Sequence, residues 1–241
     1  MTRYGAQAGA AKGYNPRRRG RLSHHPLMAF VADLRLIANC VRRPGNTASG
    51  HNVAAFLETT LHHLGEKRVG LLRADSGFSD AAFLGLLEDK ALPYIVALKL
   101  NQPLQRALVG ASGWWRLDTG IDLVSFNYQP DAWEKPRRVV GIRQQIDTKP
   151  GAKGKQLSLF AEDEVICGYR YAALVTDLEL PDAEIWRNYR GRADCENRIK
   201  ELKYDFGAES FNLRDFWATE ACLNMAMLAY NMMSLFRQAV L

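Results

Sequence analysis

Cysteine is scarce in this chain: four in 241 residues (Cys40, Cys167, Cys195, Cys222), with no CxxC spacing and no histidine at a zinc-ligand interval. That pattern excludes a disulfide framework and a zinc ribbon, and predicts buried thiols in a reducing compartment. Histidine is also sparse. The adjacent pairs His24-His25 and His62-His63 point apart along a strand or around a helix, a poor arrangement for sharing one metal ion. No long run is purely apolar. Residues 221–241 come nearest, but Asn224, Asn231, Ser234, Arg237 and Gln238 interrupt them, so a buried core helix is expected rather than a membrane span. The opening MTRYGAQAGAAKGYNPRRR lacks the apolar stretch of a signal peptide. There is no internal repeat. Acid is nearly missing from the first fifty residues, and ahead of Asp75 the only carboxylates are Asp33, Glu58 and Glu66.

Base is abundant where acid is missing. Residues 1–50 hold nine Lys and Arg against Asp33, a balance of +8 in a chain whose total is +6. A basic amino-terminal arm (1–26) on a near-neutral body suits phosphate contacts, with Arg17, Arg18, Arg19 and Arg21 as candidate DNA ligands; a solvated tail is the alternative. Apolar content of 47% supports a sizeable core.

The most specific pattern lies at 189–203, YRGRADCENRIKELK, which places Tyr189, Arg192, Glu196 and Lys203 at Tyr-x2-Arg-x3-Glu-x6-Lys spacing. On one continuous α-helix, at about 100° per residue, these four fall within a stripe roughly 60° wide and about 21 Å long. A lone acid between two cations and a phenol suits a surface that holds a metal and follows a phosphate backbone. The plain alternative is an Arg–Glu helix pair worth about 0.3–0.5 kcal/mol.

A second carboxylate stands upstream. In EKRVGLLRADSGF an apolar run delivers Asp75 just before Gly77, as a short buried strand delivers a residue at its carboxyl end, where ligands collect in open α/β sheets. Asp75 either caps the following turn or holds a metal; with Glu196 downstream, the metal role is the expectation.

Strands are expected near 27–33 and 35–42, with Asp33 in the turn between them. A helix near 52–65, the Asp75 strand, a helix near 79–91 and the strand PYIVALKL come next. Residues 112–178 then break into short alternating runs, including DLVSFNYQP and VICGYRYAALVTDL, split by Gly, Pro and Asp. The polar stretch DTKPGAKGKQLSLFAEDE reads as a hairpin tip. Helix resumes at Pro181-Asp182. The implied organisation is a first core part (1–110), a β-rich insertion subdomain (111–178) and a returning helical part (179–241).

Two blocks, LRADSGF and YRGRADCENRIKELKYDFG, resemble the second-Asp and Glu blocks of bacterial insertion-sequence transposases of the DDE class. The spaced quartet matches the Tyr-Arg-Glu-Lys signature of their cut-and-paste branch. YGAQAGAAKGYNPRRRGRLSHHPL with RPGNTASGHN resembles the region after the first catalytic Asp of that family, and FWATEACLNMAMLAYNM a helix beyond the Glu. The resemblance spans nearly the whole chain. It implies an α/β fold: a ribonuclease-H-like mixed sheet with helices on both faces, interrupted by a β-rich insertion before the Glu-bearing helix.

The resemblance further implies Asp75 and Glu196 as catalytic metal ligands for two Mg²⁺ (or Mn²⁺) ions. Tyr189, Arg192 and Lys203 become DNA contacts, and Trp114, Trp115 and Trp133 candidate platforms for a flipped base. The partner is double-stranded DNA (terminal inverted repeats and target), engaged by a homodimer in a synaptic complex, in a bacterial cytoplasm at the nucleoid, with no membrane. The first Asp of the triad lies, in the family, just ahead of the block that opens this chain. The chain is therefore expected to be truncated, inactive alone and poorly soluble for want of a central strand. Two other readings stay open: a non-catalytic DNA-binding remnant of a degraded element, and a ribonuclease-H-like nuclease without strand transfer.

Overall fold

The computed structural model describes residues 1–3, 5, 7–13, 15, 18–146, 165–166, 168–211 and 213–240. In chain order the elements are β1 (Ala11–Lys12), β2 (Leu22–Ser23), β3 (Leu27–Val31), β4 (Leu36–Val41), α1 (Val53–Leu64), β5 (Leu72–Ala74), α2 (Ala81–Asp89), β6 (Tyr94–Ala97) and α3 (Gln102–Gly110). They continue with β7 (Trp115–Asp118), β8 (Ile121–Tyr128), β9 (Arg137–Gln145), β10 (Val165–Ile166), β11 (Tyr169–Thr176), α4 (Asp182–Arg190), α5 (Ala193–Tyr204) and α6 (Phe216–Val240). The chain divides into two compact units, Met1–Arg68 with Ala193–Leu241, and the contiguous Val69–Arg192.

The contiguous unit is built on one mixed sheet in the order β5-β6-β11-β9-β8-β7, with β10 beside β11. Only β5 and β6 run parallel; the remaining pairs are antiparallel. The strands from 111–178 were expected to form a separate subdomain. They instead extend this sheet, because β11 pairs with β6 on one side (Leu174↔Ala97) and with β9 on the other (Leu174↔Val140). The physical reason lies in β11 itself: Tyr171 to Thr176 are buried without a break, and a strand buried on both faces belongs mid-sheet. Ile95, Leu123, Val140, Ile142 and Leu174 form the core together with Ile185, Trp186 and Tyr189 of α4. Gly141 lets this layer close, since a Cβ there would lie 2.6 Å from Leu108 of α3 and 2.9 Å from Val124.

Local chemistry sets the helices of this unit. The Asp80 side chain accepts from Phe83 N at 2.9 Å to start α2, and Asn101 accepts from Leu104 N at 3.0 Å to start α3. α4 opens after Pro181, and its Asp182 is held by Arg138 at 2.7 Å.

The other unit pairs β3 with β4 and packs α1 and α6 against β4. Its core joins Ile37 and Cys40 to Leu202, Leu223, Ala226 and Tyr230. From α6, the Asn231 carboxamide takes both backbone groups of Ile37, at 2.8 and 2.9 Å. Residues 1–26 are not a loose arm in their described part. β1 and β2 pair, and the buried Arg3 donates to the carbonyls of Glu209 and Phe211. Asp33 sits in the turn between β3 and β4, as expected. The expected hairpin tip at 147–164, and Cys167, lie outside the described residues. Among the described residues no helix is long and apolar enough to cross a membrane. α6, expected as a buried core helix, is buried along one face only.

Candidate active site

Asp75 follows β5 directly. β5 is the end strand of its sheet, pairing with β6 alone among the described residues, so Asp75 stands at the carboxyl end of an edge strand. Its Oδ1 accepts from Gly77 N at 2.9 Å and starts a 3-10 turn over Ser76–Phe78. The capping role of Asp75 is realised through one oxygen, and the half-buried carboxylate stands at the strand end.

Two residues earlier on β5, Arg73 donates through Nη1 to the Asn188 carbonyl in the last turn of α4, at 2.8 Å. A helix end leaves carbonyls without intrahelical partners, and a guanidinium there satisfies one and complements the helix dipole. Gly191 has an ordinary right-handed conformation (φ −58, ψ −18), so space rather than backbone freedom sets its identity. A Cβ on it would lie 2.5 Å from Arg73 Nη1. Arg73 was missed by the sequence reading. Its position two residues before Asp75, on the strand and pointing to the same face, was the available signal.

The quartet does not share one helix. α4 ends at Arg190 and α5 begins at Ala193, with Gly191 and Arg192 in the break. The expected single stripe is broken because the Arg73 cap and Gly191 end α4. Tyr189 is 2% exposed and packs within the core of its sheet. A stacking or phosphate role for it is not open in this arrangement; it is a packing residue. Arg192 lies over the Tyr189 ring, 5.7 Å from its centroid. Glu196 occupies the first turn of α5 and Lys203 its last. Seven residues apart, these two still share a face, about 10 Å from one another along the axis. Lys203 Nζ meets Glu209 at 2.9 Å. α5 is further braced by Arg198, which bonds Asp194 at 2.9 Å and Glu201 at 3.1 Å. Hydrogen bonding to Asp194 raises the pKa of Arg198.

Basic residues of the first fifty divide by burial. Arg18, Arg19 and Arg21 are exposed around the turn joining β1 to β2, while Arg17 lies outside the described residues. Arg3, Arg42 and Arg43 are buried and structural. Arg43 ties down the following loop through the carbonyls of Ala48, Ser49 and His51. Arg3 and Arg42 flank the fully buried His24, whose Nδ1 accepts from Arg3 Nε at 3.2 Å. Burial, and then the Arg42 charge, push the His24 pKa down to about 4.

Of the expected thiols, Cys40 is buried, and burial followed by the Glu220 charge pushes its pKa up to about 12. Cys195 and Cys222 are only half-buried. Trp133 is core, edge-on to Tyr128 with Arg137 over its ring. Trp114 packs on Tyr171 and Arg143. Trp115 alone of the three is exposed.

Against known families, the profile described as "Transposase DDE domain group 1" matches residues 2–241. The chain belongs to that family. A comparison with curated proteins returns no match. DDE transposase domains act on DNA and generally use divalent metal ions, and the mixed α/β sheet is consistent with the ribonuclease-H-like fold of that class. The transposase domain's donor set is carboxylate oxygen, the chemistry that hard divalent ions take. Asp75 at a strand end and Glu196 on a helix fit such a role. Among the described residues, however, no group of three His, Cys, Asp or Glu is placed to hold an ion.

Proposed function

We propose that this chain is the catalytic core of a bacterial insertion-sequence transposase of the Tyr-Arg-Glu-Lys branch, cutting phosphodiesters at element ends and joining them to target DNA. The observation that carries the reading is the family match over residues 2–241, with Asp75 and Glu196 at the ends of a strand and the start of a helix. Asp75 and Glu196 would hold Mg²⁺ or Mn²⁺, which when bound activates the attacking oxygen and stabilises the leaving oxygen. Arg192 and Lys203 bind phosphate near the scissile bond, Lys203 by exchanging Glu209 for the DNA backbone. Arg18, Arg19 and Arg21, with Arg17, hold the flanking duplex. The working form is a homodimer bridging two element ends in the cytoplasm, at the nucleoid.

The third carboxylate comes from outside these 241 residues. Two features are in keeping with that: no three-ligand group stands among the described residues, and β5 pairs with β6 alone among them. The same features favour a second reading, a DNA-binding remnant that does no chemistry.

A labelled duplex carrying element ends tests both. With Mg²⁺, this chain alone is expected to leave it intact. A version extended by the upstream coding sequence cuts and joins it, and loses both activities in Asp75→Asn and Glu196→Gln while still binding DNA. Inactivity of the extended version leaves the remnant reading. Cutting without joining identifies a nuclease. Cutting by the 241-residue chain that vanishes in Asp33→Ala makes Asp33 the third ligand and removes the need for an outside one.

A further inference from the structure

The face of α6 turned away from its own unit is apolar and uncovered. Met225, Leu228, Met232 and Leu235 are between 51% and 69% exposed. With the exposed Ala221 and Ala239 they fall at intervals of 4, 3, 4, 3 and 4 residues, the alternation of a coiled-coil seam. The packed face is a different one, carrying Thr219, Leu223, Ala226, Tyr230 and Ser234. The two charged residues of α6 both face their own unit: Glu220 accepts from Arg42 N, and Arg237 pairs with Glu201. The seam and its flanks carry no charge at all, so like charges would not meet if the face paired with itself.

We infer that α6 is a self-association surface, pairing antiparallel with α6 of a second copy about a two-fold axis level with Tyr230. Seam position and residue size are both symmetric about residue 230. Two-fold pairing sets Met225 against Leu235 of the partner subunit, Leu228 against Met232 of the partner subunit, and Ala221 against Ala239 of the partner subunit. Large residues meet at the centre and alanines at the ends, and seam positions of opposite kind face one another as antiparallel helices require.

Area supports a second copy as the occupant. At roughly 200 Å² for each large apolar side chain, the four large seam residues and the flanking Phe236 leave on the order of 600 Å² uncovered, at the upper end of the usual patch on a monomer and, over two copies, at the low end of a specific interface. The helix is already folded on β4 through Asn231, so pairing need not fund helix formation, which limits short isolated coiled coils. Two of the seam residues are methionine (Met225 and Met232), which supplies adaptable packing. The inference deepens the homodimer named above but does not rest on DNA cleavage, since pairing is expected with no DNA present.

Sedimentation equilibrium of the 241-residue chain without DNA is the test. A closed dimer with a dissociation constant in roughly the micromolar range is expected. Met225→Lys should weaken it on the order of a hundredfold, with helix content by circular dichroism unchanged, because the site is exposed. Met225→Lys combined with Leu235→Glu in one chain should restore the dimer, since antiparallel pairing sets each new cation against a new anion. Independently of any variant, amide exchange over 221–239 of the unaltered chain should slow as protein concentration rises. A monomer, open-ended association, indifference to Met225→Lys or failure of the charge pair to restore the dimer would each overturn the inference. Concentration-independent exchange would do the same.

Discussion

His24 has no exposed surface and faces the guanidinium groups of Arg3 and Arg42. A neutral imidazole can accept from Arg3; an imidazolium there adds a third cation to a buried pair. The folded-state pKa of about 4 lies below the ordinary 6.5, so between these values the unfolded chain binds more protons than the folded one. The contribution is complete above pH 6.5 and is lost as pH falls to 4, amounting to on the order of 2 kcal/mol. Urea unfolding at steps from pH 7 to 4 should show the loss, and His24→Asn should flatten it. Glu88 acts in a lower window. Burial alone would raise its pKa, but hydrogen bonds from Arg137, Lys135 and Tyr94 outweigh that and hold it near 2, so its contribution fades only from pH 4.5 downward.

At the scale of elements, the break between α4 and α5 is made by Arg73, Asn188 and Gly191. In Gly191→Ala the backbone conformation is acceptable, but the new methyl group displaces the guanidinium from the Asn188 carbonyl. A cost of about 0.5–1.5 kcal/mol is expected, matching that of Arg73→Ala. The double variant should cost scarcely more than either single one, because both remove the same bond. A chemical-denaturation cycle on the four proteins measures it, and additive costs would show that Arg73 and Gly191 act separately. This break also marks where the sequence stopped being legible. Glycine inside YRGRADCEN is a recognised stop signal, yet Gly191 ends the helix only because an arginine from a strand 115 residues upstream reaches Asn188. α3 was missed although Asn101 and Pro103 are ordinary start signals. The strands were readable from alternation and apolar runs. Their membership of one sheet was not, since the partner of Leu174 at Ala97 is a matter of long-range pairing.

For the whole molecule, charge counted along the sequence overstates what is available to DNA. Three of the nine basic residues in 1–50 are buried among backbone carbonyls or beside His24 and cannot release counterions from phosphate. Of the rest, Lys12, Arg18, Arg19, Arg21 and Arg35 are exposed, and Arg18, Arg19 and Arg21 cluster in one turn. Changing these three to Ala should lower the slope of log affinity against log salt by up to about three phosphate equivalents, read by fluorescence anisotropy with a labelled duplex. An unaltered slope would make the turn between β1 and β2 a bystander. The candidate pair Asp75 and Glu196 was legible as residue types and spacing, whereas the place of each in the fold was not.

The nesting of one unit inside the other has a consequence for biosynthesis. Residues 69–192 are contiguous and carry the described strands of their own sheet, so this unit can begin to fold as it leaves the ribosome. The hairpin of β3 and β4 cannot finish: Ile37 waits for Asn231, 194 residues later. At about 5–20 residues per second of synthesis the interval is roughly 10–40 s, during which the apolar side chains of Ile37 and Cys40 lack their cover. A hairpin that emerges before the 69–192 unit is secured only after it, and a chaperone holding the nascent hairpin would act on it in that interval.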